Sequence, residues 1–356
     1  VAGSATRKAN PLGTLGSALV DAGFPAPTSS LLEDESADIG DWGSETAVNR
    51  LIDYVMVSAR LYQWVPVNLV LRAVTRDATE SQRPLDLDAI RTLFESHDLF
   101  RWRLDDKEGK DLLVGARLQL EAELICNRRL GGATGEARRL SELIRAAVRA
   151  GSEWNRETKY LVDVVHAVGP DGPFKDRYSE SYAEFARTLS DLRTGAGVEN
   201  ARLMLQEATL RRHYVRLHQP EPALKAALLD EARSAVDEAL SRSEGKNSRM
   251  YASRRTIDNL WVERAATYGF MATDAAERGG NQGEIWPSYL AARNAVRKAL
   301  GRVDSYFPVD IGLWLPARIL KTATVSPDHA VELEADIRAT LDLVDPVALD
   351  PKKYEI

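Results

Sequence analysis

Cysteine is nearly missing from this chain: Cys126 is the only one in 356 residues. A lone thiol excludes an intrachain disulfide and the cysteine-rich zinc sites. Long apolar runs are missing as well. Nothing approaches the roughly 20 apolar residues of a bilayer-spanning helix, and no basic-then-apolar opening reads as a secretory signal. No block of like charge reaches five residues, and the net charge of −6 gives no general pull toward nucleic acid or anionic membrane. The histidines, His97, His166, His213, His218 and His329, do not fall into a His-Glu-x-x-His or similar ligand set. There is no Gly-x-x-x-x-Gly-Lys-Ser/Thr loop, no Gly-x-Ser-x-Gly elbow and no evident Cys–His pairing. The expectation is a cytoplasmic chain that is not an enzyme by itself and holds neither metal nor cofactor.

What is present is a phrase that occurs twice. Ala-Arg-Ser-Ala-Val-Asp-Glu-Ala-Leu spans Ala232–Leu240, and Ala-Arg-Asn-Ala-Val-Arg-Lys-Ala-Leu spans Ala292–Leu300, 60 residues later. Alanines at the first, fourth and eighth positions make a helical stripe of small knobs, so a neighbouring helix can come close. Ala235 and Ala295 are therefore expected at buried helix–helix contacts. A weaker echo sets Ala208-Thr209 against Ala266-Thr267. Close approach at a fixed period is what stacked helical hairpins need, and such arrays work by displaying a surface. Generic helix packing would satisfy the same stripe.

The organisation divides in three. Residues 1–43 are rich in Gly, Pro, Ser and Ala, include Glu33-Asp34-Glu35, and read as an adapter or linker. The chain opens on Val1 with no clean period after it, which reads as a piece cut from a longer protein. Residues 44–130 hold a helix capped by Ser44 and running to about Gln63, then a second helix with Pro66 in its first turn. A third helix, from Asp86 to His97, precedes a hairpin of Phe100–Leu104 and Leu112–Val114, and a closing helix starts near Leu118. Residues 131–356 read as helices throughout, broken at points such as Gly169-Pro170, Gly195-Ala196-Gly197, Gln219-Pro220 and Gly279-Gly280. The fold class expected is mainly α: a winged-helix domain with a small β-hairpin, then an α-solenoid of helical hairpins.

The duplicated phrase resembles the second helix of a tetratricopeptide repeat, where small residues recur seven apart as Ala232 and Ala239 do. The unit length departs from that family's roughly 34 residues, and no proline follows Leu240. A winged helix followed directly by helical repeats resembles the middle and C-terminal parts of STAND-class, NLR-like signalling NTPases. That resemblance implies a regulatory, ligand-sensing region of a signalling or antiviral defence protein. It further implies ATP or ADP held in an upstream domain, and self-association on activation. In that family a late winged-helix histidine or arginine senses the nucleotide phosphates. Val114-Gly115-Ala116-Arg117-Leu118 looks like that junction, which makes Arg117 the candidate, while Ser96-His97-Asp98-Leu99 looks like the family's Met-His-Asp triplet but precedes the hairpin.

Two basic-aromatic clusters suggest a groove for an acidic protein or peptide. Arg211, Arg212, Tyr214 and Arg216 share one helix; Arg249, Tyr251, Arg254 and Arg255 open the helix after the next. Helices two apart in a hairpin stack share a side, so the clusters are expected to face one another. A solvated or salt-bridged face is the competing reading, as it is for Arg233 with Asp237. Trp261, Trp286 and Trp314 read as core anchors. A stand-alone adaptor that binds a peptide remains open. A DNA-binding winged helix is disfavoured, since the third helix carries Asp86, Asp88 and Glu95 against a single arginine, Arg91.

Overall fold

The computed structural model describes residues 47–76, 99–105, 111–148, 156–244, 250–302 and 306–343. These are mainly helical, with one small three-stranded sheet. Among them no helix is long and apolar enough to cross a membrane. Contacts join the described residues from Arg50 onward into one compact unit.

Helix α1 (Ala47–Arg60) is covered almost all round, with Leu51, Tyr54, Val55, Met56 and Val57 fully buried. It stops at Arg60, short of Gln63, because Tyr62 adopts a left-handed backbone (φ 60°). The amides of Leu61, Tyr62 and Gln63 turn back onto the carbonyls of Ser58 and Ala59. Strand β1 (Val65–Pro66) comes next, and α2 (Val67–Arg76) starts after it. Pro66 thus belongs to a strand and not to the first helical turn, a correction of the sequence reading. Its missing N–H is harmless there because β1 lies at the sheet edge.

Strands β2 (Phe100–Asp105) and β3 (Asp111–Ala116) form the expected hairpin, in register from Phe100 opposite Ala116 to Asp105 opposite Asp111. β1 pairs antiparallel on the other side of β3, with Val65 opposite Val114, giving the order β1-β3-β2. Helix α3 (Gln119–Arg129) closes this part. The expected third helix and the Ser44 cap lie outside the described residues.

Gly131 and Gly132 turn the chain with φ of 65° and 104°, values that residues with a side chain rarely adopt. Then follow α4 (Ala133–Arg145), α5 (Arg156–Val168), the single turn α6 (Lys175–Tyr178) and α7 (Tyr182–Gly195). The longer helices are α8 (Ala201–His218), α9 (Pro222–Ser243), α10 (Arg254–Glu277), α11 (Gln282–Leu300), α12 (Phe307–Thr322) and α13 (Pro327–Leu341). Side-chain caps explain several starts. Asn200, Ser253, Asn281 and Ser326 each accept a backbone N–H of the first turn, which satisfies a donor the helix leaves unpaired. The Asn281 cap starts α11 at Gln282, with Pro287 inside the helix.

From α7 onward each helix packs on the next, and α8–α10 and α10–α12 also touch. α10 is the shared neighbour of α8, α9, α11 and α12. The duplicated stripe serves these contacts. Ala232, Ala235 and Ala239 of α9 and Ala292, Ala295 and Ala299 of α11 are all fully buried. On α10, Gly269 lies so close to α12 that an added Cβ would meet the Trp314 ring at 3.2 Å. The weaker echo also has a physical meaning, since Thr209 and Thr267 both donate to the Glu263 carboxylate.

Buried ion pairs join the elements on either side of Gly131-Gly132. Glu136 of α4, fully buried, accepts from Arg60 of α1 at 2.9 Å, from Arg177 of α6 at 2.8 Å and from the Tyr178 hydroxyl at 2.7 Å. Asp53 of α1 pairs with Arg129 of α3 at 2.7 Å and with Arg139 of α4 at 3.4 Å.

Candidate partner-recognition surface

The first arginine cluster faces inward. Arg211 is buried, its Nε donating to Glu231 of α9 and its terminal nitrogen to Glu207, both at 2.8 Å. Arg212 holds Glu263 of α10 with two parallel hydrogen bonds of 2.7 and 2.8 Å, and its guanidinium lies 5.7 Å from the centre of the Phe270 ring. A planar fork suits this two-pronged grip on a carboxylate. Tyr214 packs against the buried Val215, Leu228 and Leu229 and its ring lies beside His218. Arg216 alone of this group is exposed. Burial, and then the charges of Arg212 and Arg216, hold His213 down to about 3, so it is neutral at physiological pH.

The second cluster stays at the surface. Tyr251, Arg254 and Arg255 are exposed, and Arg254 reaches Asp258 only at 4.0 Å. Arg249 lies outside the described residues. The two clusters do not face one another. Arg212 meets α10 at Glu263, and Arg254 lies nine residues before that point, about 13 Å along the axis at 1.5 Å per residue. This corrects the expected shared groove: α8 and α10 do touch, but the two sets of arginines sit at different heights.

The start of α8 is what lies level with the start of α10. Glu199, just before α8, pairs with Arg242 at the end of α9, and the Arg242 carbonyl accepts the amide of Met250, four residues before α10. Arg202, next to Ala201, is exposed. Arg202, Tyr251, Arg254 and Arg255 are thus all exposed at the same end of these helices. Sequence reasoning missed Arg202 because it stands nine residues ahead of Arg211, the next arginine of its helix, and only the packing of α8 beside α10 brings it to the end that carries Arg254 and Arg255.

At the β3–α3 junction the Arg117 amide donates to the Leu99 carbonyl at 2.8 Å, and its guanidinium pairs with Glu121 one turn on. His97 lies outside the described residues. Of the tryptophans, Trp261 is buried with its Nε1 donating to Glu244 at 2.9 Å, and Trp314 packs into the core against Phe270. Trp286 stacks on His329 with ring centres 3.7 Å apart.

Among the described residues no group of histidine, cysteine, aspartate or glutamate could hold a metal ion. A cleft between α11, α12 and α13 has an apolar lining of Val296, Leu300, Leu315 and Pro316. Its polar groups answer one another: Tyr289 donates to Asp336 at 2.5 Å, Arg293 holds Glu332 and Asp336, and Arg297 holds Asp336.

Three comparisons bear on kinship. No protein-family model matches the chain, and no curated protein or solved structure matches it significantly.

Proposed function

We propose that this chain is the non-catalytic regulatory and ligand-sensing region of a STAND-like signalling or antiviral defence NTPase. In this reading a winged-helix module precedes tetratricopeptide-like hairpins that read an acidic protein ligand. The observation that carries it is the antiparallel order β1-β3-β2, with β1 between α1 and α2 and the β2–β3 hairpin leading into α3. That arrangement fits a winged helix in its strand order as well as its element order. Support for the repeat part comes from α8, α10 and α12, where each touches its next-but-one neighbour, as stacked hairpins do.

In this reading the acidic ligand meets Arg202, Tyr251, Arg254 and Arg255, because these basic and aromatic groups are exposed while Arg211 and Arg212 already hold carboxylates of the fold. A nucleotide phosphate would have to displace Glu121 to engage Arg117. ATP or ADP would sit in an upstream domain of the same polypeptide.

The reading has two tests. The natural gene should encode a phosphate-binding loop on the N-terminal side of Val1; a gene without one overturns the STAND assignment. Arg254→Glu with Arg255→Glu should abolish ligand-triggered self-association of the whole protein and leave its melting unchanged, whereas Arg216→Glu should be silent. Normal triggering by the double variant overturns the proposed surface.

A further inference from the structure

Helix α13 carries an exposed seam whose meaning does not depend on the STAND-like reading. Of its residues only Leu333 and Thr340 are buried. Glu332 and Asp336 are taken by Arg293 of α11. A helix at the end of a stack ordinarily turns a polar face outward. Here Val331 is 68% exposed and Leu341 52%. Between them Glu334 and Arg338, with side chains 58% and 79% exposed, pair with one another at 3.6 Å. Val331, Glu334, Arg338 and Leu341 follow at steps of three, four and three, the spacing of a heptad seam. The seam lies roughly a third of a turn round the axis from the buried Leu333. Four side chains in one line, apolar at both ends and charged in the middle, are what a partner helix meets in a coiled-coil contact.

We propose that two copies of the chain pair along this seam, α13 antiparallel to α13. The order of the four residues is self-complementary. Val331 and Leu341 lie five residues on either side of Asp336, and Glu334 and Arg338 lie two residues on either side. A two-fold axis at that level sets Val331 opposite the partner's Leu341 and Glu334 opposite the partner's Arg338, and symmetry repeats both contacts. The two apolar layers then lie about 15 Å apart, with the charged layers between them. A guanidinium offers five N–H donors, so Arg338 can keep its own Glu334 and hold the partner's as well. Ala330 and Ala335, beside the seam, are small enough to let the backbones approach.

The charge pattern selects this occupant over others. A nucleic acid or an anionic membrane would meet Glu334 and, further along, the exposed Asp342. A partner of one sign, acidic or basic, finds one like charge in the seam. A parallel pair of copies would set Glu334 on Glu334 and Arg338 on Arg338, which is repulsive twice. The antiparallel pair alone gives acid opposite base at both positions, and charged seam residues of this kind fix register and orientation. One short helix from each copy makes a small interface, so the pairing is expected to be weak and reversible, in the micromolar range.

Sedimentation equilibrium of the full chain, run up to ~0.3 mM, measures the pairing. A monomer–dimer equilibrium is expected without any ligand, and Arg254→Glu with Arg255→Glu should leave it unchanged, which separates it from the ligand-triggered association proposed above. Arg338→Glu should weaken it by about ten-fold or more at unchanged helicity, because acids then face acids. Glu334→Arg should weaken it likewise. Mixing these two variants should restore pairing as a heterodimer, an outcome that damage to either helix would not give. The register is read by thiol crosslinking under mild oxidation: Val331→Cys mixed with Leu341→Cys should crosslink far faster than either variant alone. The native Cys126 is buried and common to all these proteins. If a charge variant does not fold, the cysteine variants, both at exposed sites, decide the matter. The proposal is overturned by a chain monomeric throughout that range or by dimers that Arg338→Glu leaves intact. It is overturned equally by charge variants that fail to pair when mixed, or by Val331→Cys crosslinking to itself as fast as to Leu341→Cys.

Discussion

Glu136→Gln should be among the most damaging single changes in the junction between α1, α3, α4 and α6. The wild-type carboxylate has no exposure and is engaged by Arg60, by both prongs of Arg177 and by the Tyr178 hydroxyl. Removing one partner of a buried pair is destabilising by about 3–5 kcal/mol, because the remaining charge is left uncompensated. Here Arg60 keeps the side-chain Oδ1 of Asn127 at 2.9 Å and Arg177 is nearly a third exposed. Both can find other partners, so the expected loss lies near the lower end, about 3 kcal/mol. Urea denaturation at pH 7, followed by circular dichroism, measures it.

The pH dependence supplies an independent check. Burial alone would raise the Glu136 pKa, but the hydrogen bonds from Arg177 and Tyr178 and the Arg60 charge outweigh it and hold the carboxyl below its usual range. A depressed carboxylate gives stability that is present above its unfolded pKa and is lost as pH falls through the folded one. The gap between wild type and Glu136→Gln should therefore be full at pH 7 and close as the solution is acidified past the ordinary glutamate range. A gap below about 1 kcal/mol at pH 7, or one that persists in acid, would refute the argument.

Two further outcomes follow from packing and titration. Ala235→Leu and Ala295→Leu should each lower stability by about 1–3 kcal/mol through overpacking, since both positions are fully buried; unchanged denaturation midpoints for both would remove the close-approach argument. His213, held down to about 3 by burial and by Arg212 and Arg216, should make the fold less stable as pH drops from about 6.5 toward 3, because the unfolded chain takes up the proton first. Between pH 7 and pH 5 the wild type should lose about 1–2 kcal/mol more than His213→Gln, and equal slopes for the two proteins would show that His213 does not contribute.

The features legible in the sequence are those that local chemistry settles. The helix run from Ala133 onward follows from 3.6-residue periodicity, and the β2–β3 hairpin follows from alternation around the acidic turn before Asp111. The alanine stripes at Ala232 and Ala292 announce close contacts because only small side chains permit them. Each signal lies within one element and its own period.

Tertiary structure decided whatever depends on distant partners. Two-residue β1 has no period of its own and exists only because Val65 pairs with Val114. Arg211 and Arg212 look in sequence like surface charge beside Arg216. Their fate was set by Glu231 and Glu263, which sequence spacing does not bring near. Arg202 shares an end of the fold with Arg254 and Arg255 only because α8 and α10 start side by side. A charged side chain carries no local mark of whether its counter-ion will be a buried carboxylate of the fold or a partner in solution. Long-range packing makes that choice, because it determines which opposite charge arrives first and how much water is excluded with it.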